Sequence, residues 1–589
     1  MSQTPDRARS LLRSAAVPLL WLGVAGASSP PSTASTGMHD ILVRDGLIVD
    51  GSSGKPYVGS VVIDGDTISY VGPRTGFAAR KIIDAKGKAV APGFINMLSQ
   101  AQESLLADGR GESDLVQGVT LEVLGEGESM GPWNDGMAKA AQDQEGDVRY
   151  PVTWRTLDQY LDTLEHRGIS PNVTAVVGAA TVRQNVLGED DVQPTPAQLA
   201  QMQALTRQAM QEGAVAVGSA LIYPPGSYAH RDELTALAKT AAECGGIYIS
   251  HMRSEGQTFL EAVDETISIA RQSGAPAEIY HLKAAGRANW DKLPEAIKRI
   301  DAARASGVRI TADMYPYTAA ATGLDASMPR WVMVGGLDAW IARLKDPTTR
   351  ARLLAEMRNP PAGYESALVG AGADGTLLLS FKNEALKPYT GKTLAEVARI
   401  RGKSPEETAL DMIIEDHSRI GVAYFLMSED NLRREVVLPW MSFGSDGEAI
   451  APEGAFLQSA AHPRAYGTFA TVLGKYVRDE KLVSLQDAVR RLSAMPAANL
   501  ALRDRGMLKA GFHADVVVFD PETIQPHSSY QRPHQLATGV SDVLVNGQFA
   551  LADGRATGAH SGQVVRGRAW TGWKGGGCRA SARDWSWVS

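Results

Sequence analysis

The sequence is poor in cysteine and has no long run of positive charge. Cys244 and Cys578 are the only cysteines among 589 residues, which excludes a framework of several disulfides and a zinc site of the CxxC type. Cys244 lies in an apolar stretch and is expected to be a small buried residue. The net charge of −7 and the pI near 5.9 argue against nucleic acid as a partner.

Long apolar runs are also scarce, and the one near the N-terminus is short. Three arginines precede the run SAAVPLLWLGVAGA, which ends in a small-residue A-x-A pattern. This order predicts a secretory signal peptide over residues 1–27 and a flexible leader over 28–39. The run is too short to span a bilayer comfortably. We expect an exported protein, periplasmic or secreted, with no stable membrane insertion after signal removal; an uncleaved N-terminal anchor is the alternative.

Both ends of the mature chain carry β-structure of one kind. Short β-branched runs broken by Asp-Gly and Lys-Gly turns fill residues 40–90, as in GSVVIDGDTISYVG, and the same style returns in DVLVNGQFAL near the C-terminus. These runs predict a small β-sandwich domain built from residues 40–92 and 500–568. The tail at 569–589 is rich in Trp and Gly and receives no assigned role.

The middle of the chain alternates between short apolar runs and helical stretches. Runs such as GGIYISH, AEIYHLK and VRITADMY are separated by segments such as AQLAQMQALTRQAMQEG. This alternation is typical of a parallel sheet, and its length favours a (β/α)8, TIM-like barrel of the α/β class over residues 93–499. Residues 330–435 interrupt the rhythm and are interpreted as an insertion.

Several strand-like runs end on residues that carry chemistry. His251 and His281 end consecutive runs thirty residues apart, and neighbouring strands of a barrel lie about 4.8 Å apart. Two imidazoles placed in this way can bind one zinc ion. Asp446 ends a later run, where a carboxylate can take a proton from water at the metal and return it to a leaving amine.

Further polar residues follow the other runs. Glu122, Glu126 and Glu128 lie in GVTLEVLGEGESMGP, and Glu126 stands between two glycines just after an apolar strand. Either Glu126 or Glu128 can supply a third metal ligand, whereas Glu122 falls within the strand and is a candidate buried ion-pair partner. Candidates for substrate contact are Lys283, Tyr315 and Arg464, because a guanidinium fork suits a carboxylate and a phenol can add a hydrogen bond.

The motifs YPPGSYA, YISHMRSEG, YHLKAAG, DMYPYTA, FGSDG and HPRAYGTFATVLGKYVR occur in this order. In them the chain resembles the amidohydrolase superfamily and, within it, the N-acyl-D-amino-acid deacylase (D-aminoacylase) family, over residues 40–568. The resemblance implies a barrel that carries a β-sandwich and a zinc centre that hydrolyses the amide of an N-acyl amino acid. It maps metal ligands onto His251 and His281, the catalytic aspartate onto Asp446, and contacts with the substrate carboxylate onto Lys283, Tyr315 and Arg464.

The chain departs from the family's pattern at the metal. The H-x-H pair of the family falls at Leu98 and Gln100, and Gly127 stands at the position of a cysteine ligand. A serine that contacts substrate in D-aminoacylases falls at Ala321. The loss of H-x-H empties one of two metal positions. We therefore expect one zinc ion per chain, held by Glu126, His251 and His281, with Asp446 as general base and acid.

The function expected is hydrolysis of C–N bonds other than peptide bonds, on a small N-acyl amino acid or a related amide. Other substrates of the same chemistry remain open, among them a dipeptide, a toxin amide, a lactam or an ester, and so does a hydantoinase-type or imidase activity. A metal-free pseudo-enzyme that binds acylated ligands without turnover is the alternative of another class. The preference for D or L substrates and the assembly into homo-oligomers are also left open.

Overall fold

The computed structural model describes residues 37–361 and 364–579. The predicted signal peptide at 1–27 and residues 28–36 of the leader lie outside this part, as do residues 580–589 of the tail. Within the described residues, no helix combines the length and apolarity that a membrane crossing requires.

Strands from the two ends of the chain form one sheet. Its members are β1 (His39–Ile48), β2 (Tyr57–Asp64), β3 (Thr67–Gly72), β4 (Ala79–Asp84), β5 (Ala89–Pro92), β17 (Val516–Phe519), β18 (Val540–Val545), β19 (Gln548–Ala552) and β20 (Arg555–Ala556). The ends meet where β5 pairs antiparallel with β17. Side chains of β17 alternate, so Val516 and Val518 lie in the core of the terminal sheet while Val517 and Phe519 pack towards the barrel. The predicted β-sandwich domain built from both chain ends is confirmed.

Eight parallel strands in the described part of the chain form a barrel in sequence order. They are β6 (Phe94–Ser99), β7 (Val119–Leu124), β8 (Asn172–Gly178), β9 (Ala216–Ala220), β10 (Ile247–His251), β11 (Ala277–Ile279), β12 (Ile310–Met314) and β16 (Met441–Phe443). The ring closes just beyond β6 and β16: the Asp446 amide donates to the Leu98 carbonyl at 2.8 Å, and the Gln100 amide donates to the Gly447 carbonyl at 2.9 Å. The predicted (β/α)8 barrel is confirmed.

Helices cover the outside of the barrel and follow its strands. They are α1 (Ser104–Ala107), α2 (Glu112–Leu115), α3 (Asp135–Asp143), α4 (Leu157–Arg167), α5 (Ala179–Leu187), α6 (Pro196–Gln211), α7 (Arg231–Glu243), α8 (Phe259–Ser273), α9 (Leu293–Ala305), α15 (Glu429–Val436), α16 (Arg464–Thr471), α17 (Leu485–Leu492) and α18 (Ala494–Asn499). Local sequence fixes several starts. Thr195 caps α6 in a capping box with Gln198, and Pro196 occupies the first turn, where its missing amide costs nothing.

A separate layer follows β12. It contains α10 (Gly336–Lys345), α11 (Pro347–Arg358), α12 (Ala367–Ala371), α13 (Leu394–Arg401), α14 (Pro405–Asp416) and the antiparallel strands β13 (Ala319–Gly323), β14 (Thr376–Ser380) and β15 (Gly421–Phe425). This layer has its own apolar core, which includes Trp340, Leu353, Leu410 and Ile413. It lies over the ends of the barrel strands and forms one wall of the cleft described below.

The described part of the tail is tied to the barrel. Cys578 forms a disulfide with Cys244, the residue after α7. Cys244 is buried, as expected, and its pairing with Cys578 was not predicted from the sequence. The Thr571 amide donates to the carbonyl of Gln211, and the Arg579 amide to that of Glu243. These carbonyls precede β9 and β10, so the tail lies at the N-terminal ends of the strands, away from the end where barrel active sites form.

Candidate metal centre

His251 is placed by the alternation of β10. Ile247 and Ile249 point into the barrel, while Tyr248 packs against the outer helices. The same two-residue period directs His251, the last residue of the strand, to the inward side at the C-terminal end of the barrel. The imidazole is buried and meets the side chains that follow the neighbouring strands.

His281 reaches the same place by breaking the alternation of its strand. Ala277 and Ile279 of β11 face outward and Tyr280 faces inward, so a continued strand would point residue 281 outward. Instead His281 adopts φ +34°, in the left-handed region that non-glycine residues rarely occupy. Backbone of this kind concentrates at functional sites, where the surrounding structure holds it in place. The turn brings the ring of His281 within 4.5 Å of the ring of His251, centre to centre.

Glu126 lies between the two imidazoles. Its Oε1 is 3.0 Å from His251 Nδ1 and 3.2 Å from His281 Nε2. The loop after β7 can lie this close to β9 because of glycine: a Cβ on Gly218 would stand 1.9 Å from the carbonyl oxygen of Glu126. Glu128, the other candidate ligand, lines the cleft and is not among the three donors that converge.

A second carboxylate supports the imidazoles from behind. Glu255 Oε1 lies 3.1 Å from His281 Nδ1, 3.9 Å from His251 Nε2 and 2.6 Å from the ammonium of Lys283. When His281 binds a metal through Nε2, a proton on Nδ1 can be donated to Glu255, which would fix the ring and strengthen the ligand. The ammonium of Lys283 lies 2.8 Å from the same Nδ1 and can only donate, so in that state it pairs with Glu255. Glu255 was not among the predicted site residues, although it stands four residues after His251 in HMRSEG.

The neighbouring side chains of this group keep its two carboxylates, Glu126 and Glu255, ionised. Burial opposes ionisation of Glu126, but hydrogen bonds from His251 and His281 keep the pKa of Glu126 well below its usual range. Burial likewise opposes ionisation of Glu255, and the nearby charge of Lys283 keeps its pKa low as well. Both carboxylates therefore stay charged, which suits residues that bind or support a cation.

The three converging donors fit a zinc ion. Glu126 Oε1, His251 Nδ1 and His281 Nε2 lie within 4.8 Å of one another. Zinc bonds of about 2.0–2.1 Å place tetrahedral ligands about 3.3 Å apart, and the two distances from Glu126 are 3.0 and 3.2 Å. Two histidines and one glutamate form a known catalytic zinc set that leaves a position open.

Asp446 stands beside this group and also has a left-handed backbone, with φ +49°. Its Oδ1 accepts a hydrogen bond from Gln100 Nε2 at 3.1 Å, and its Oδ2 lies 2.7 Å from Arg464 Nη1. Each carboxylate oxygen has a second lone pair. Asp446 can therefore still accept a proton while both neighbours stay in place.

The predicted substrate contacts cluster around one aromatic ring. The guanidinium of Arg464 lies 4.8 Å from the centre of the Tyr315 ring, and the ammonium of Lys283 lies 5.5 Å from it. All three side chains are buried. Arg464 Nη2 donates to the carbonyl of Ala321 at 3.3 Å, the position where the family has a serine. Arg464 Nε is buried and has no hydrogen-bond partner among the described residues.

The centre opens into a cleft of about 1200 Å³. Loops that follow the barrel strands form one wall, with Glu103, Glu128 and Met130, and the layer after β12 forms the other, with Met328 and Arg330. Sites that take small molecules have volumes of about 300–1000 Å³. The cleft is thus large enough for an acylated amino acid and leaves space beyond it.

Comparison with known proteins places the chain in a family. The model of the Amidohydrolase family matches residues 81–550. A D-aminoacylase of Alcaligenes xylosoxydans xylosoxydans is 30% identical over 533 residues, which cover 89% of this chain and 97% of that protein.

Two solved structures are similar over nearly the whole described chain. The crystal structure of an N-acyl-D-glutamate deacylase from Bordetella bronchiseptica, complexed with zinc and a phosphonate mimic of the tetrahedral intermediate, is 29% identical with a TM-score of 0.74. A D-aminoacylase with a binuclear metal centre, described by one-metal activation and second-metal attenuation, is 29% identical with a TM-score of 0.75. Each match covers 90% of this chain and 100% of the other chain. With its motifs, its barrel and its convergent donors in agreement, this chain belongs to the amidohydrolase family.

Proposed function

We propose that the chain is a zinc-dependent hydrolase that removes the acyl group from N-acyl amino acids. The observation that carries this proposal is the convergence of Glu126, His251 and His281 beside Asp446 and Arg464 in one cleft. A donor set, a proton acceptor and an anion-binding group are the parts that amide hydrolysis requires. The similarity to D-aminoacylase and to N-acyl-D-glutamate deacylase supports this substrate class.

One zinc ion per chain would be held by Glu126, His251 and His281. A bound zinc ion would supply Lewis acidity towards a carbonyl oxygen and towards water. A second ion is not expected, because Leu98 offers no donor atom and Gln100 offers a neutral amide where the family has H-x-H. The D-aminoacylase described by one-metal activation is consistent with catalysis at a single ion.

Asp446 would manage the proton. Its carboxylate takes a proton from the attacking water and gives it to the departing nitrogen, so that the amine leaves as a neutral group. Gln100 donates to one oxygen of this carboxylate, and Arg464 pairs with the other. The proton therefore moves to a group whose orientation is set before the substrate arrives.

Arg464, Tyr315 and Lys283 would hold the carboxylate of the amino-acid half. Arg464 and Lys283 both lie against the Tyr315 ring next to the reaction centre. Each also pairs with a carboxylate of the site, Arg464 with Asp446 and Lys283 with Glu255. A substrate carboxylate bound there would fix the distance between the substrate amide and Asp446. Holding reacting groups in this way raises their effective concentration.

A metal-free binding protein is the competing function. A scaffold that only binds acylated ligands does not require a metal-type donor set together with a proton acceptor. Glu255 behind the two imidazoles adds to this argument, since supporting carboxylates of this kind are a feature of metal centres.

Export of the protein is part of the proposal. The predicted signal peptide lies outside the described residues, but the Cys244–Cys578 disulfide offers independent support. Disulfides persist in oxidising compartments and are rare in the cytosol. Fractionation of cells that express the chain, with N-terminal sequencing of the product, would detect a mature form that begins near residue 28.

The activity is tested with a panel of N-acetyl amino acids in D and L forms, with the matching N-acetyl amines as substrates that lack the carboxylate. Purified protein is assayed before and after removal of zinc by a chelator and after zinc is restored. We expect turnover of the acids that disappears without zinc and returns with it. Turnover that persists after complete zinc removal, or none with any acylated substrate after zinc loading, would contradict the proposal.

A further inference from the structure

Gln100 occupies a particular place among the charged groups of the centre. Its Nε2 lies 3.3 Å from Glu126 Oε2 and 3.1 Å from Asp446 Oδ1. An ionised carboxylate only accepts hydrogen bonds, whereas the amide NH2 of glutamine has two hydrogens to donate. One side chain thus supplies a donor to the metal-binding carboxylate and another to the proton acceptor.

The backbone fixes this arrangement. The backbone N–H of Gln100 donates to the Gly447 carbonyl, and the backbone N–H of Asp446 donates to the Leu98 carbonyl. These two hydrogen bonds close the barrel and hold Gln100 beside Asp446. Leu98 itself is fully buried in the barrel interior, pressed against Gly444. The H-x-H position of the family is therefore occupied by the apolar side chain of Leu98 in the barrel interior and by the side-chain amide of Gln100 at the metal centre.

We propose that Gln100 is a positioning residue that takes the part of a second metal ion, joining Glu126 to Asp446 through its amide and restricting the centre to one ion. This inference rests on the proposed function, since it requires a zinc ion at Glu126, His251 and His281. A cation between two carboxylates would hold them by charge, and the Gln100 amide holds them by two hydrogen bonds. Glu126 is then oriented towards the metal by one of its oxygens and restrained through the other.

Three substitutions separate this role from simple packing. Gln100→Met keeps the length of the side chain without its donors, and Gln100→Ala removes the side chain. Loss of a hydrogen-bond partner of a metal ligand costs 10–100-fold in metal affinity, so both variants should bind zinc 10–100-fold more weakly while still reaching one zinc per chain. Gln100→Glu places a third carboxylate beside Glu126 and Asp446, and it should accept a second divalent cation.

The control is Gln184, a partly buried glutamine that lines the same cleft and donates to Glu189 at 2.7 Å. Gln184→Met and Gln184→Glu should leave zinc affinity and stoichiometry unchanged. Zinc affinity is measured by competition with a chromophoric chelator, stoichiometry by elemental analysis, and folding by circular dichroism and melting temperature. If Gln100→Ala does not fold, Gln100→Met carries the test.

The outcomes distinguish the two proposals. One zinc per wild-type chain, weaker binding in Gln100→Met and a second ion in Gln100→Glu support the role of Gln100. One zinc per wild-type chain with affinity unchanged within threefold in Gln100→Met overturns this role and leaves the proposed function intact. Two zinc ions in the wild type overturn it as well. A wild-type chain that binds no zinc overturns the proposed function and this inference together.

Discussion

The guanidinium of Arg464 lies 2.7 Å from the carboxylate of Asp446. From the sequence, the arginine was predicted to contact the substrate and the aspartate to transfer the proton, as two separate roles. In the structure the two residues pair. The positive charge of Arg464, which is proposed to bind a substrate carboxylate, already balances the negative charge of Asp446, the proposed proton acceptor. A substrate carboxylate bound at Arg464 would therefore lie next to Asp446.

Substitution of Asp446 should separate metal binding from turnover. Asp446→Asn keeps the shape of the side chain and an oxygen that can accept from Gln100, but the amide cannot take up a proton. We expect zinc content to stay at the wild-type level and kcat to fall by about 10²–10⁴-fold, the usual contribution of a general acid or base. Elemental analysis and initial rates measure the two effects. An Asp446→Asn variant with kcat within threefold of the wild type would remove Asp446 from the proton step.

Substitution of Arg464 should act on substrates with a carboxylate. Arg464→Lys keeps a positive charge near Asp446 and loses the planar fork that binds a carboxylate in two places. For an N-acetyl amino acid, kcat/KM should fall by about 10²-fold, consistent with loss of roughly 2–3 kcal/mol of charged hydrogen bonding. For the matching N-acetyl amine, kcat/KM should change little.

Arg419 provides the control for this test. It lines the same cleft but pairs with Asp325, at 2.9 Å. Arg419→Lys should affect both substrates to the same small extent. An equal loss on both substrates in Arg464→Lys would mean that Arg464 serves Asp446 and not the substrate carboxylate.

The barrel itself could be predicted from alternation in the sequence, and His251 follows directly from the period of β10. His281 does not, because its strand ends two residues earlier and only a left-handed turn brings the ring inward. Local pattern contains no signal for that turn. The bridge made by Gln100 also depends on how β6 meets β16, a contact between residues nearly 350 positions apart in the chain.

Two further features could not be predicted from the sequence, because they depend on which residues lie close together in the folded chain. The Cys244–Cys578 pair joins residues 334 positions apart, and two cysteines alone do not reveal whether they meet. Glu122 was a candidate ion-pair partner, but no cation meets it among the described residues. Its Oε2 accepts from Asn96 at 3.0 Å, and the same Asn96 amide donates to Asp114. Burial, which the strand pattern predicts, does not identify the partner.

This buried acid pair gives a pH-dependent contribution to stability. Burial raises the pKa of Glu122 from 4.5 to about 7 and the pKa of Asp114 well above its usual range. Between pH 4.5 and 7 the folded protein keeps a proton on Glu122 that the unfolded chain has released. The stabilisation from Glu122 is therefore complete below pH 4.5 and is lost as the pH rises through 7.

Glu122→Gln removes this titration while it preserves the shape of the side chain. The free energy of unfolding, measured by urea denaturation from pH 5 to 8, should fall less steeply with pH in the variant than in the wild type. Glu396→Gln, at an exposed helix start, is the control and should leave the slope unchanged. Identical slopes in wild type and Glu122→Gln would contradict a raised pKa at this pair.

The disulfide should stabilise the chain without affecting the centre, since the tail lies at the opposite end of the barrel strands. Cys578→Ser should lower the free energy of unfolding by about 2–4 kcal/mol and should expose the tail to proteolysis. Zinc content and kcat/KM should remain at the wild-type level. Cys244→Ser should behave in the same way, because either change breaks the same bond. A loss of activity that parallels the release of the tail would contradict this separation.

Glu126, His251 and His281 are proposed to hold one zinc ion, and the zinc content per chain tests this proposal. Elemental analysis is made on zinc-saturated and dialysed wild type, His251→Ala, His281→Ala and Glu126→Gln, with His166→Ala as a control at an exposed helix end. We predict about one zinc per chain in the wild type and in His166→Ala, and far less in the three other variants, each with a normal melting curve in the absence of zinc. Wild-type levels of zinc in His251→Ala and His281→Ala, or no zinc in the wild type, would contradict a zinc site at these three residues.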